Sequence, residues 1–283
     1  MSFNLEICFP THSRNTLFLF IICWLLPILA TVFYSVVIIL PNWEKTIFNI
    51  SLFVSNKTKF IVLEYLLDDS NQINGIKVAH VNNSDQIWCL MNMRGGLWEI
   101  CDELSERSRS NSFCNQYDKI KDNKRCFNYL YRSRDFSSET YAYENKNLYF
   151  LKMQNNVIAC AIMVLICSLF AFGLALASLI WQLVLCGMVA SVLFAMSALF
   201  SVFASAIQNE KVKLLQVDEQ CHNYTPLNIP SEICPYYTSK SFSATTEWPF
   251  TLSLISSILF AGSTLLWVMI TRNLRLVKAK AYL

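Results

Sequence analysis

The chain has 283 residues, 54% hydrophobic and only 15% charged, with a formal net charge of +3 and a mean hydropathy of +0.36. Soluble globular domains carry about 25% charged residues, so the composition points away from an ordinary water-soluble fold. The apolar excess is gathered into three runs without Asp, Glu, Lys or Arg, at 17–40, 157–207 and 250–270.

Taken in chain order, residues 1–16 precede the first run and hold Cys8, read as a free thiol. A helix needs roughly 20 apolar residues to cross about 30 Å of hydrocarbon, so 17–40 is expected to cross once. A cleaved signal peptide is the alternative reading. Signal h-regions run about 7–15 residues behind a basic segment, whereas this run is longer and only Arg14 precedes it. The second run is long enough for two crossings, 157–178 and 184–207, with a turn at 179–183 where Trp181 and Gln182 suit an interface. The last crossing is 250–271, followed by 272–283. The expected fold class is therefore a membrane α-helical, four-transmembrane-helix bundle. Two long loops, 41–156 and 208–249, lie on one side of it.

Four crossings put both termini on one side. Residues 272–283 carry Arg272, Arg275, Lys278 and Lys280 and no acid, which assigns that side to the cytosol by the positive-inside rule. The expected localisation is the plasma membrane, multi-pass, with both termini cytosolic. N-x-S/T acceptors at Asn49, Asn56, Asn82 and Asn223 all fall in the two loops assigned outside. Six of eleven cysteines, Cys89, Cys101, Cys114, Cys126, Cys221 and Cys234, lie in the same loops, as disulfides in an oxidising compartment would. Cys23, Cys160, Cys167 and Cys186 lie within the crossings, where packing is the simplest role.

The first loop reads as a folded unit with a small extracellular antiparallel β-sheet. Strand-like runs occur at 43–50, 60–66, 76–81, 96–100 and 126–132, and Asn74-Gly75 is a hairpin-turn signal. Residues 102–125 are polar and read as loop. Cys101 would end one strand and Cys126 begin the next. Neighbouring strands lie about 4.8 Å apart, close to the Cα separation that a disulfide needs, so Cys101–Cys126 is the expected staple. That leaves Cys89 for Cys114, with Cys221 and Cys234 paired in the second loop. Trp98 would cover the staple, reach toward the bilayer or fill a local core.

"PNW" at 41–43, "GLWEIC" at 96–101 and the later Cys126 occur in this order behind the first crossing. This arrangement resembles the claudin, peripheral-myelin-protein and voltage-gated calcium-channel gamma-subunit superfamily. Its motif residues here are Trp43, Gly96, Leu97, Trp98, Cys101 and Cys126. The long first loop, the sequon before Cys89, and Cys114 between the motif cysteines look like the calcium-channel gamma branch. The uncharged turn at 179–183 and the long second loop with its own cysteine pair depart from the pattern.

No ionisable residue lies within the expected crossings, so a pore, pump or transporter is disfavoured. Small residues recur at four-residue spacing in three rows: Gly187, Ser191, Ala195; Ser197, Ser201, Ser205; and Ser253, Ser257, Ala261. Such rows allow close helix approach, either inside the bundle or toward a partner. No catalytic constellation is visible. The acids Asp102, Glu103 and Glu106 mix with Arg107 and Arg109 as a solvated surface, and the three His are scattered. Neither enzyme activity, metal nor cofactor is expected. The basic residues at 119–125 are interspersed with acids in an outer loop, which argues against nucleic acid. The resemblance implies a non-catalytic auxiliary subunit that modulates gating or trafficking of a membrane ion channel, of calcium-channel or AMPA-receptor type. The alternative is a claudin-like cell-junction or adhesion protein. Expected partners are a pore-forming channel subunit and membrane lipid, with a homo-oligomer left open.

Overall fold

The computed structural model describes residues 14–40, 42–48, 60–80, 83–106, 126–128, 144–181, 183–217 and 242–281. Its helices are α1 (Arg14–Ile39), α2 (Glu144–Ile180), α3 (Val184–Val217) and α4 (Trp248–Ala281). The strands are β1 (Glu44–Phe48), β2 (Phe60–Leu67), β3 (Ile73–His80), β4 (Asn83–Met91), β5 (Met93–Gly95), β6 (Glu99–Asp102), β7 (Cys126–Asn128) and β8 (Phe242–Thr246). The chain divides into a helical unit (Met1–Ile38, Val157–Ala206, Phe250–Leu283) and a β-rich unit (Ile39–Asn156, Ile207–Pro249).

All four helices are long and apolar enough to cross a membrane, the layout of a multi-pass membrane protein. Within the helical unit, one row of buried positions on each of α1, α2 and α3 steps alternately by three and four. They are Cys23, Pro27, Ala30, Tyr34 and Val37 on α1, and Val157, Ala161, Val164, Ser168, Ala171, Ala175 and Ser178 on α2. Gly187, Ala190, Phe194, Ser197, Ser201 and Ala204 continue the pattern on α3. An average step of 3.5 residues keeps one seam facing inward, the geometry of left-handed knobs-into-holes packing. The inward seam is mostly Ala, Ser and Gly. The outward faces carry Leu169, Phe170, Phe203, Ile258 and Leu265, each more than half exposed. This is the reverse of a water-soluble helix, which turns its large apolar face inward.

The serines of two small-residue rows are used inside the unit, whereas Ala261 at the end of the third row is exposed. Ser201 and Ser257 hydroxyls meet at 2.6 Å and Ser205 and Ser253 at 2.9 Å, joining α3 to α4. Ser197 also donates to the Val164 carbonyl of α2 at 3.5 Å, and Ser256 donates to Ala30 O of α1 at 2.8 Å. Gly187 sits where an added Cβ would lie 2.8 Å from both Ser178 Oγ and Thr271 Oγ1.

In the β-rich unit, one antiparallel sheet has the order β7-β6-β5-β1-β8 and a second has β2-β3-β4. The first sheet is not built from the first loop alone, because β8 comes from the second loop and pairs with β1 from Glu44↔Thr246 to Phe48↔Phe242. Asn92, buried between β4 and β5, ties the two sheets. Its amide donates to Asn74 O at 2.8 Å and its side chain to Asn74 Oδ1 at 3.1 Å.

Two expectations change here. Asn74-Gly75 is not a turn but part of β3. The turn lies at 68–72, where Asp68 Oδ1 accepts from the Ser70 hydroxyl and the Ser70 and Gln72 amides, each at 2.8 Å, and Asn71 takes a φ of 60°. An Asx-type turn with a left-handed Asn satisfies the chain locally, and Gly75 is left free to pack between strands. The bond from the Ser70 side chain, then that from the Gln72 amide, holds the Asp68 carboxyl below its ordinary range. Secondly, 96–100 is not one strand: Gly96-Leu97-Trp98 forms the bend between β5 and β6, closed by Gly96 N donating to Glu99 O at 2.7 Å. The helices extend past the apolar runs: α2 begins at Glu144, α3 continues to Val217, and α4 to Ala281.

Gly187→Val is expected to destabilise the helical unit by about 1–3 kcal/mol through overpacking. Gly173→Ala, where an added Cβ meets nothing within 4 Å, should be neutral or slightly stabilising. Thermal unfolding in detergent, followed by tryptophan fluorescence, would separate the two.

Candidate functional site

The β-rich unit encloses a charge pair. Glu44, the first residue of β1, is 2% exposed, and Lys211, in the last turns of α3, is 0% exposed. Lys211 Nζ donates to Glu44 Oε1 at 2.7 Å. The remaining polar atoms are matched by two buried amides. Gln208 Nε2 donates to Glu44 Oε2 at 2.9 Å, and Lys211 Nζ donates to Gln154 Oε1 at 2.9 Å. Gln154 then donates through Nε2 to the carbonyls of Leu97 at 2.6 Å and Gly96 at 3.4 Å. Isolated buried charges are strongly disfavoured, and a pair is tolerated only when hydrogen bonds satisfy both partners. This cluster meets that condition.

Local sequence explains the placement. Gln208 and Lys211 are three apart and share one face of α3. Glu44 lies opposite Gly95 in the β1–β5 ladder. An added Cβ at Gly95 would collide with the Glu44 carboxylate, so glycine leaves the space that the carboxylate fills. Trp43 precedes the acid, fully buried, with its amide donating to Gly95 O at 2.8 Å and its carbonyl accepting from Glu247 N at 3.2 Å. Leu97 is buried at the β5–β6 bend and Trp98 is half-buried there. The motif residues thus hold a corner of backbone whose carbonyls receive Gln154.

Cys101 and Cys126 face each other across β6 and β7 and are joined by a disulfide, with an S–S distance of 2.09 Å. On the neighbouring strands Glu103 receives Arg94 and, at 3.5 Å, Lys45. Glu99, Cys101 and Cys126 place three potential ligand atoms within 4.8 Å, but the two sulfurs are bonded to each other. Cys89 stands in β4 opposite Lys77. Cys114, Cys221 and Cys234 lie outside the described residues, as do all four sequon asparagines, Asn49, Asn56, Asn82 and Asn223.

Glu44, Gln154, Gln208 and Lys211 were not singled out from the sequence. Lys211 and Gln208 fall in the stretch read as a second loop, and Gln154 in the stretch read as a first. The available signal was the spacing of Ser201, Ser205, Gln208 and Lys211, which carries one helical face past the end of the apolar run. No known family profile and no curated protein matches the chain.

Lys211→Met should destabilise the β-rich unit by about 3–5 kcal/mol, the usual cost of leaving one member of a buried pair uncompensated. The thermal midpoint of the purified protein would report it. Cys101→Ser opens a link between residues 25 apart in sequence and should cost about 2–5 kcal/mol. Thermal unfolding of the purified variant would report that loss.

Proposed function

We propose that the chain is a multi-pass plasma-membrane glycoprotein of the claudin, peripheral-myelin-protein and calcium-channel gamma-subunit type. In this reading both termini are cytosolic and the β-rich unit is extracellular. It acts as a non-catalytic auxiliary subunit that modulates gating or trafficking of a membrane ion channel, of voltage-gated calcium-channel or AMPA-receptor type. The observation that carries this reading is the use made of the motif. Trp43, Gly96 and Leu97 are structural parts of one corner, and the charges beside them are consumed by each other. A site of that kind maintains a shape for recognition rather than performing chemistry.

Four helices with outward large apolar faces supply the membrane-embedded part of such a subunit. Modulation then requires only a difference in affinity between channel states. About 1.4 kcal/mol in favour of one state shifts its equilibrium tenfold.

Gentle-detergent purification of the tagged protein from its native membrane, followed by mass spectrometry, tests the proposal. Near-stoichiometric recovery of a pore-forming subunit is the expected result. Recovery of self-assembled polymers with junction scaffolds and no channel would overturn it in favour of a claudin-like adhesion role.

A further inference from the structure

Three contacts fix the register of α1 against α4. Ser256 Oγ donates to Ala30 O at 2.8 Å, Gly262 faces Leu26 with an added Cβ 3.8 Å from Leu26 Cδ2, and the rings of Trp24 and Trp267 meet edge to face at 6.0 Å. The helices are antiparallel, and at 1.5 Å per residue the first turn of α1, at Arg14, stands level with the last turns of α4. A second set brings the α2–α3 turn to the same end. Gly187 abuts Thr271, and Arg275 Nη2 lies 2.6 Å from Met188 Sδ.

Among the described residues, the charge at this end has one sign. The segments of the helical unit contain five basic residues, Arg14, Arg272, Arg275, Lys278 and Lys280. Their single acid is Glu6, outside the described residues. All five cations fall in the first turn of α1 or the last turns of α4. Arg272 and Arg275 are exposed, and at the same end, in the α2–α3 turn and the first turn of α3, Trp181 is 66% and Leu185 72% exposed. The helix dipole does not account for the cluster, since its effect fades within the last turn and Arg272 stands more than two turns before Ala281. Exposed Trp next to cations is the composition of a headgroup-level belt, and clustered basic residues there attract anionic lipid.

We propose that this end of the helical unit binds the phosphate-bearing headgroups of anionic phospholipids. The inference rests on the membrane-spanning reading above. Arg272 and Arg275 would grip the headgroup phosphate while Trp181 and Leu185 sit at the acyl boundary.

The test uses the full-length protein in phosphatidylcholine vesicles doped with spin-labelled phosphatidylserine or, separately, spin-labelled phosphatidylcholine. Flotation with phosphatidylcholine vesicles after alkaline wash comes first. Failure to float overturns the membrane reading and this proposal with it. For protein that floats, the motionally restricted fraction should be several-fold larger for phosphatidylserine than for phosphatidylcholine. The preference should shrink in high salt, vanish in R272Q/R275Q/K278Q/K280Q and persist in R272K/R275K. Equal restriction of both lipids by wild type, or an unchanged preference in the four-fold glutamine variant, would overturn the headgroup site while leaving the membrane reading intact.

Discussion

The carboxylate of Glu44 and the ammonium of Lys211 meet at 2.7 Å in an interior that offers water to neither. That constraint organises the β-rich unit. A buried carboxylate has to be satisfied at both oxygens, which requires Gln208 as well as Lys211. A buried ammonium needs a further acceptor, which Gln154 supplies. Gln154 in turn needs acceptors for its own amide, and the Leu97 and Gly96 carbonyls provide them only if the chain bends between β5 and β6. Gly95 must lack a side chain for the carboxylate to fit. The polar network therefore specifies one arrangement of β1, the β5–β6 hairpin and the helical stretches that carry Gln154 and Lys211. Such networks are high-stakes: complete, they define a unique core, and incomplete, they are costly.

The helical unit solves a different problem with different residues. Its seams are small and hydroxyl-bearing, so backbones approach closely and serines bridge from helix to helix or donate to the carbonyl four residues earlier in the same helix. For helices apolar enough to cross a membrane, hydrocarbon offers little hydrophobic drive between them, and packing plus interhelical hydrogen bonding take its place. The large apolar side chains are consequently free to face outward. The rows Ser197–Ser205 and Ser253–Ser257 are occupied by the bundle itself.

The helices were legible because an uninterrupted apolar run is a strong and nearly unambiguous signal. Their ends were not. A helix continues as long as its face is packed, and Ser205, Gln208 and Lys211 continue one face into polar sequence where composition suggests loop. The same blindness hid the ion pair, because Glu44 and Lys211 are separated by 167 residues and nothing local marks either as buried. At 68–72 the Asp68 side chain makes the turn, while the Asn-Gly pair that looks like a turn serves instead as a slender strand segment. Leu97 and Trp98 look like strand residues by propensity, yet they form a bend, because tertiary burial of Leu97 and the Gln154 bonds outweigh local preference. β8 could not be assigned to the sheet because its pairing with β1 is long-range and its residues, Phe-Ser-Ala-Thr-Thr, carry only a weak strand pattern.

The most direct measurement is a double-mutant cycle on Glu44→Gln and Lys211→Met in the full-length protein, read as unfolding free energy in detergent. If the buried pair is the organising constraint, the double variant loses clearly less stability than the sum of the two single losses, because neither partner is then left charged and alone. Additive losses would mean that the two side chains act independently, and the ion pair would no longer explain how the corner is held.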